Sequence, residues 1–175
     1  MTNPRKSPRA NWIDYDNGLF FITACTKDKK HYFGKIFDGE MILSEEGKIL
    51  EYELSHPEIH HKKINIPLYV VMPNHFHAIV VCRDIACDVF PNAQRNPNSS
   101  QRANPDMARH VPTLSRYISL LKSAVSKQIH LFNPDFAWQS RYHDHLIRGN
   151  KDGNKIAEYI ENNPINWSKD CFYQD

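Results

Sequence analysis

Two histidines one residue apart, His75 and His77, sit in residues 69–81, which read YVVMPNHFHAIVV. The neighbouring apolar residues are β-branched or aromatic, the composition of a buried strand. Side chains at i and i+2 of a strand share a face, so the chain mounts two imidazoles side by side, with Phe76 and Ala78 on the opposite face. Imidazole is a common divalent-metal ligand and the usual physiological acid or base. Two imidazoles are too few for a closed structural site and leave room for a further ligand and for water or substrate, the layout of a catalytic metal centre. The alternative at this point is a pair of strand histidines that bind nothing.

Other candidates are weaker taken singly. His143-Asp144-His145 is a second pair, either ligands or a hydrogen-bonded structural pair, with Asp144 able to add to a metal shell. His60-His61 lies beside Lys62 and Lys63 and reads as solvated surface. In the segment KIAEYIENNP, Tyr159 and Asn163 are four apart and share a helix face. Read alone, Tyr159 is a helix tyrosine packing its ring into the core.

The elements that must position these residues follow from periodicity and punctuation. Residues 18–26 (GLFFITACT) read as a strand, and residues 31–43 as strand and turn broken by Gly34 and Gly39. Ser44 before Glu45 and Glu46 predicts a helix N-cap, with the helix running to near Pro57. Residues 66–72 and 75–82 predict an antiparallel strand pair around Pro73-Asn74. Leu114, Ile118, Leu121, Val125 and Ile129 recur at helical spacing and predict a helix over 113–132, capped by Thr113 and stopped by Pro134. A loop and strand follow over 138–148, then a last helix over 152–162 ending before Pro164. This order predicts an α+β fold, a ferredoxin-like split βαβ sandwich with an antiparallel or mixed sheet and helices packed on it.

The chain has 175 residues, and at this length one domain over 1–175 is expected. Residues 92–106 (NAQRNPNSSQRANPD) are polar and nearly without apolar side chains, so 84–112 is expected to be a flexible loop insertion, with solvated charge at Arg95, Arg102 and Arg109. A net charge of +2 does not by itself argue for nucleic acid. No run approaches the roughly 20 apolar residues of a membrane span, and MTNPRKSPRANW lacks the apolar core of a signal peptide. The four cysteines form no CxxC pair. A cytoplasmic protein with reduced thiols and no membrane partner is expected.

Three segments in this order, MPNHFHAIV, FAWQSRYHDHLIR and IAEYIENNPINW, resemble the single-tyrosine HUH transposases (transposase IS200-like fold), and most closely the REP-associated tyrosine transposases. HUH denotes His, a hydrophobic residue, His; here His75-Phe76-His77. The resemblance implies that His75 and His77 hold Mg²⁺ or Mn²⁺, with Asn163 as the third polar ligand where many relatives carry glutamine. It implies that Tyr159 attacks a phosphate of single-stranded DNA at hairpin or palindromic sequences, leaving a 5′-phosphotyrosine and a free 3′-OH. A covalent intermediate conserves the phosphodiester energy, in keeping with the absence of a GxxxxGK[ST] loop. Tyr69, Tyr117 and Tyr142 are rival nucleophiles, but Tyr159 alone has the partner at i+4 and the family's YI…NP context. Lys122, Lys127, Arg141 and Arg148 are candidate phosphate contacts, and Trp138 or Tyr142 could stack on an unpaired base. The resemblance also implies a homodimer, with the site in one chain or shared between two. The alternative functions are a nucleic-acid-binding module of the same fold without cleavage, a metal-dependent hydrolase using water as nucleophile, and a structural protein with surface histidines.

Overall fold

The computed structural model describes residues 14, 16–83 and 113–173. The expected insertion at 84–112, with its three arginines, lies outside the described residues. Four strands form one sheet: β1 (Gly18–Cys25), β4 (Ile64–Met72), β5 (His75–Cys82) and β6 (His143–Leu146). The spatial order is β4-β5-β1-β6, and every neighbouring pair is antiparallel. Helix α1 (Glu45–Ser55) connects β1 to β4, and helix α2 (Thr113–Ile129) lies between β5 and β6 in the chain. That succession and strand order are the ferredoxin-like β-α-β-β-α-β arrangement. A small ribbon, β2 (Gly34–Phe37) and β3 (Glu40–Leu43), precedes α1. It turns at Asp38 and Gly39, both at positive φ, a conformation Gly and Asp tolerate best.

One sheet face packs on α1 and α2. Phe20, Ile22, Phe76, Ala78 and Val80 meet Leu50, Leu54 and the α2 stripe Leu114, Ile118, Leu121, Val125 and Ile129. The other face carries His75 and His77 and is covered by a last helix, α3 (Gly149–Glu161), through Ile79, Ile147 and Ile160. The histidine strand is therefore buried on both sides, which explains its unbroken apolar composition. At the edge strand β4 the pairing register shifts between Asn65 and Leu68, beside Pro67, which has no N–H for the ladder.

Ser44 caps α1 as expected: the Gly47 amide donates to its hydroxyl at 3.0 Å. Three local expectations are corrected. Thr113 lies inside α2, and its amide donates to the Asp16 carboxylate at 2.7 Å, so the partner comes from the far end of the chain. The helix stops at Ile129, before Pro134 acts. The last helix begins at Gly149, where Asp152 accepts from the Arg148 amide at 3.0 Å and ties down the first turn. His60 is also not solvated: its Nε2 bonds the buried Glu53 carboxylate at 2.5 Å. Gln128 donates to the second oxygen of the same carboxylate. Charge on neighbouring residues said nothing of this pairing across elements.

Candidate metal and tyrosine centre

The two imidazoles of β5 are fully buried and adjacent, their Nε2 atoms 3.0 Å apart. Each outer nitrogen has a dedicated partner. The Asn74 amide donates through Nδ2 to the Lys29 and Phe172 carbonyls, at 3.1 and 2.9 Å. Its Oδ1 therefore faces His75 and accepts from Nδ1–H at 2.8 Å. That leaves His75 Nε2 as a bare lone pair. Thr23, directly opposite His77 on β1, places its hydroxyl 2.8 Å from His77 Nδ1. A hydroxyl both donates and accepts, so either neutral tautomer of His77 is satisfied. Burial holds both rings neutral: His75 titrates well below its ordinary range and His77 at about 4.

Helix α3 and the segment after it close over this pair. The Tyr159 hydroxyl lies 3.2 Å from His77 Nε2 and donates to Asp170 Oδ2 at 3.1 Å. Its ring stands edge-on to His77 and Phe21. Tyr159 is 43% exposed, so the hydroxyl sits at the boundary of the buried site and solvent. Burial, then the Asp170 carboxylate, pushes its phenol above the ordinary tyrosine range. Asn163, one helical turn on, is buried and donates through Nδ2 to Asp170 Oδ2 at 3.0 Å. Trp167 and Phe172 lie against the His75 ring, at 5.9 and 4.6 Å between centroids.

These donors fit a divalent cation. One ligand atom each from His75, His77 and Asp170 lie within 4.8 Å of one another. The two Nε2 atoms, 3.0 Å apart, are close enough to be held by one cation. Asn163 Oδ1 is buried and has no hydrogen-bond partner among the described residues, which leaves an acceptor for a cation or a bridging water.

No family model matches the chain. It is 30% identical over 175 residues to an uncharacterised protein of Haemophilus influenzae, spanning 98% of this chain and 94% of that one. The chain belongs to the family of that protein. Its backbone superposes with a TM-score of 0.60 on a REP-associated tyrosine transposase bound to a REP hairpin, at 19% identity, covering 92% of this chain and 73% of the other. The fold is that of a REP-associated tyrosine transposase.

Within this transposase fold the rival tyrosines are placed differently from Tyr159. Tyr117 is fully buried between α2 and the sheet, and its phenol is held in the protonated form by burial. Tyr69 and Tyr142 pack against the same core. Asp144 pairs with Ile22, on the sheet face away from the histidines, and so is no part of a metal shell there. His143 shares the His77 face but is exposed, and His145 bonds Asp152 at 3.0 Å. Of the candidate DNA contacts, Lys127, Arg141 and Arg148 are exposed. Lys122 is half-buried, donates to the Gln139 carbonyl at 2.7 Å, and is lowered by burial to a pKa of about 8. Trp138 packs on Phe33, Phe76 and Phe136, with its indole N–H donating to the Lys122 carbonyl.

Sequence reasoning missed Asp170, Asn74 and Thr23. Asn74 stands directly before the HFH motif, and its role as a turn former masked its second role as histidine partner. Nothing in the spacing of Asp170 singles it out, because it reaches the site through the irregular chain after α3.

Proposed function

We propose that this chain is a metal-dependent single-strand DNA transposase or nickase that cuts and rejoins DNA through Tyr159. The observation that carries the reading is the Tyr159 hydroxyl lying beside His77 Nε2 and Asp170 Oδ2 within one chain. His75, His77 and Asp170 would hold the cation, with Asn163 offering Oδ1 directly or through water; Mg²⁺ or Mn²⁺ is the cation that the resemblance implies, and the Asp170 and Asn163 oxygens suit it. When bound, the cation would neutralise charge on the scissile phosphate and lower the cost of forming the phenolate.

The residues define the remaining steps. Asp170 already accepts the hydroxyl proton of Tyr159 and orients its oxygen. That oxygen attacks phosphorus, a Tyr159–phosphate bond forms, and the bond to the 3′ oxygen breaks. The 3′ oxygen leaves as a free hydroxyl carrying the proton that Tyr159 gives up through Asp170, and its later return reverses the reaction on the same or another strand. Phe21, Trp167 and Phe172 pack against the two imidazoles and wall the buried side of the site. A hairpin substrate is proposed because the structural neighbour is bound to one. Cleavage needs no second copy of the chain, since the tyrosine meets its own histidines; a homodimer would serve to bring two cut strands together. Lys127, Arg141 and Arg148 remain proposed phosphate contacts.

The test is incubation with hairpin-bearing single-stranded DNA and Mn²⁺ or Mg²⁺, followed by a denaturing gel. A covalent adduct is expected with the native chain, and none with Tyr159→Phe or after chelation. Cleavage without an adduct would replace this reading with a hydrolase using water.

A further inference from the structure

Away from the centre, the ribbon of β2 and β3 turns apolar side chains to solvent. Its register pairs Lys35 with Ile42 and Phe37 with Glu40, so these four side chains share one face. All four are exposed, while Met41 and Leu43 of the opposite face pack on the core. Phe37, beside the turn, is 68% exposed among the described residues. Ile165, 71% exposed, extends this surface: a Cβ on Gly39 in the turn would lie 3.6 Å from it. Apolar surface gathered in this way marks an interaction site. Two exposed acids, Asp38 and Glu40, flank Phe37.

A groove of about 420 Å³ lies at the other end of α3. Leu68, Ile79 and Ile147 form its floor, and Pro67 of the outer strand β4 stands at its rim. Ile156 and Ile160 in the second half of α3 pack down on the sheet, but Gly149 and Gly153 in the first half bring no side chain to fill the space. The fold does not require a glycine at 153, since a Cβ there would meet Ile147 at 3.5 Å, an ordinary contact. The same turns carry Lys151 and Lys155, both exposed, beside the positive end of the helix. Asp152 between them is already engaged by His145 and the Arg148 amide.

The two features are complementary: an aromatic tip between acids, and an apolar groove between lysines. Within one chain they are kept apart by α3, 13 residues and about 20 Å long, because the tip adjoins Ile165 after its C-terminal end. Both border one edge of the sheet, since β2 lies beside β4 and β4 lines the groove. A second copy with its α3 antiparallel to the first would bring each tip to the other's groove at once, a closed two-fold arrangement. We propose that two copies of this chain associate in this way, Phe37 of each seated in the groove of the other, with Asp38 and Glu40 facing Lys151 and Lys155. The interface goes beyond the DNA chemistry and uses none of the residues assigned to the centre.

Sedimentation velocity of the full chain over a concentration series tests it, and a dimer is expected. Phe37→Ala removes the tip. Asn154→Glu, at an exposed position on the groove wall, sets a carboxylate against the acidic tip. Each is expected to weaken the dimer at least about tenfold, because the two-fold axis repeats each change. Circular dichroism melts of both variants are expected to match the native chain. Phe37→Ala keeps its groove and Asn154→Glu keeps its tip, so a mixture of the two retains one intact contact and is expected to associate more tightly than either alone. A native chain that stays monomeric throughout, a dimer that neither variant weakens, or a mixture no tighter than its components overturns the interface. The covalent DNA adduct is scored separately on a denaturing gel. Its absence from a native chain that dimerises removes the tyrosine chemistry and leaves the interface, and its presence in a monomeric chain does the reverse.

Discussion

Asp170 accepts from Tyr159 and Asn163 through one oxygen and from the Phe172 amide through the other, so one carboxylate links the nucleophile, the third polar side chain and the closing segment. It also raises the Tyr159 phenol, second only to burial. Asp170→Asn is accordingly expected to bring the alkaline titration of Tyr159 down toward the ordinary tyrosine range, read by ultraviolet difference spectra against the Tyr159→Phe protein. Asn74 is the matching residue on the histidine side. Its fixed amide holds His75 with the Nε2 lone pair inward, the usual duty of a group behind a metal-ligating histidine. Asn74→Ala is expected to weaken Mn²⁺ binding about 10- to 100-fold in a calorimetric titration, while the fold is retained. Unchanged affinity would mean that His75 is no ligand. The two-histidine motif was legible in the chain because a strand fixes the relation of i to i+2. Asp170 was not, because its approach depends on the turns of residues 162–173.

At the scale of elements, α1 shows local and tertiary demands meeting at neighbouring positions. Ser44→Ala removes a cap readable from the chain and is expected to cost about 1 kcal/mol. Gly47 sits in the first turn for a different reason: a Cβ there would lie 2.1 Å from the Phe33 carbonyl oxygen, itself bonded to the Ser44 amide. Gly47→Ala is therefore expected to cost more than the cap, about 2–3 kcal/mol, although alanine is the better helix former. Urea unfolding of the two variants checks the order, and a milder effect for Gly47→Ala would show that the close approach of the Phe33 carbonyl to α1 relaxes freely. Helix α2 gives the complementary case. Its buried stripe was readable at three- and four-residue spacing, whereas the Asp16 carboxylate that accepts from its Thr113 amide lies 97 positions away.

For the whole molecule, the burial that creates the site also sets its pH response. His77 titrates at about 4 in the folded chain, against about 6.5 when unfolded. Between those values the unfolded chain binds more protons, so stability rises with pH across the window. It is complete above about 6.5 and is lost as pH falls through about 4. His77 alone contributes on the order of 3 kcal/mol to this loss, and His75 adds to it in the same direction. Thermal denaturation of metal-free protein is expected to show a falling midpoint over that range, and His77→Gln to flatten the slope. By itself the sequence determined the α+β succession, the β4–β5 hairpin, the stripe of α2 and the pairing of His75 with His77 on one face. All of these are set by periodicity and turn chemistry, which act over a few residues. Only the tertiary structure decided that α3 crosses the histidine face of the sheet and not the face of α1 and α2. That packing places the Tyr159 hydroxyl, 82 positions from His77, within hydrogen-bond distance of it. It brings Asp170 to Tyr159 and Asn163 as well, while the pairing of β1 with β5 sets Thr23 beside His77. The physical reason is that such contacts follow from burying two sheet faces at once, a condition on the whole chain that no short window of residues carries.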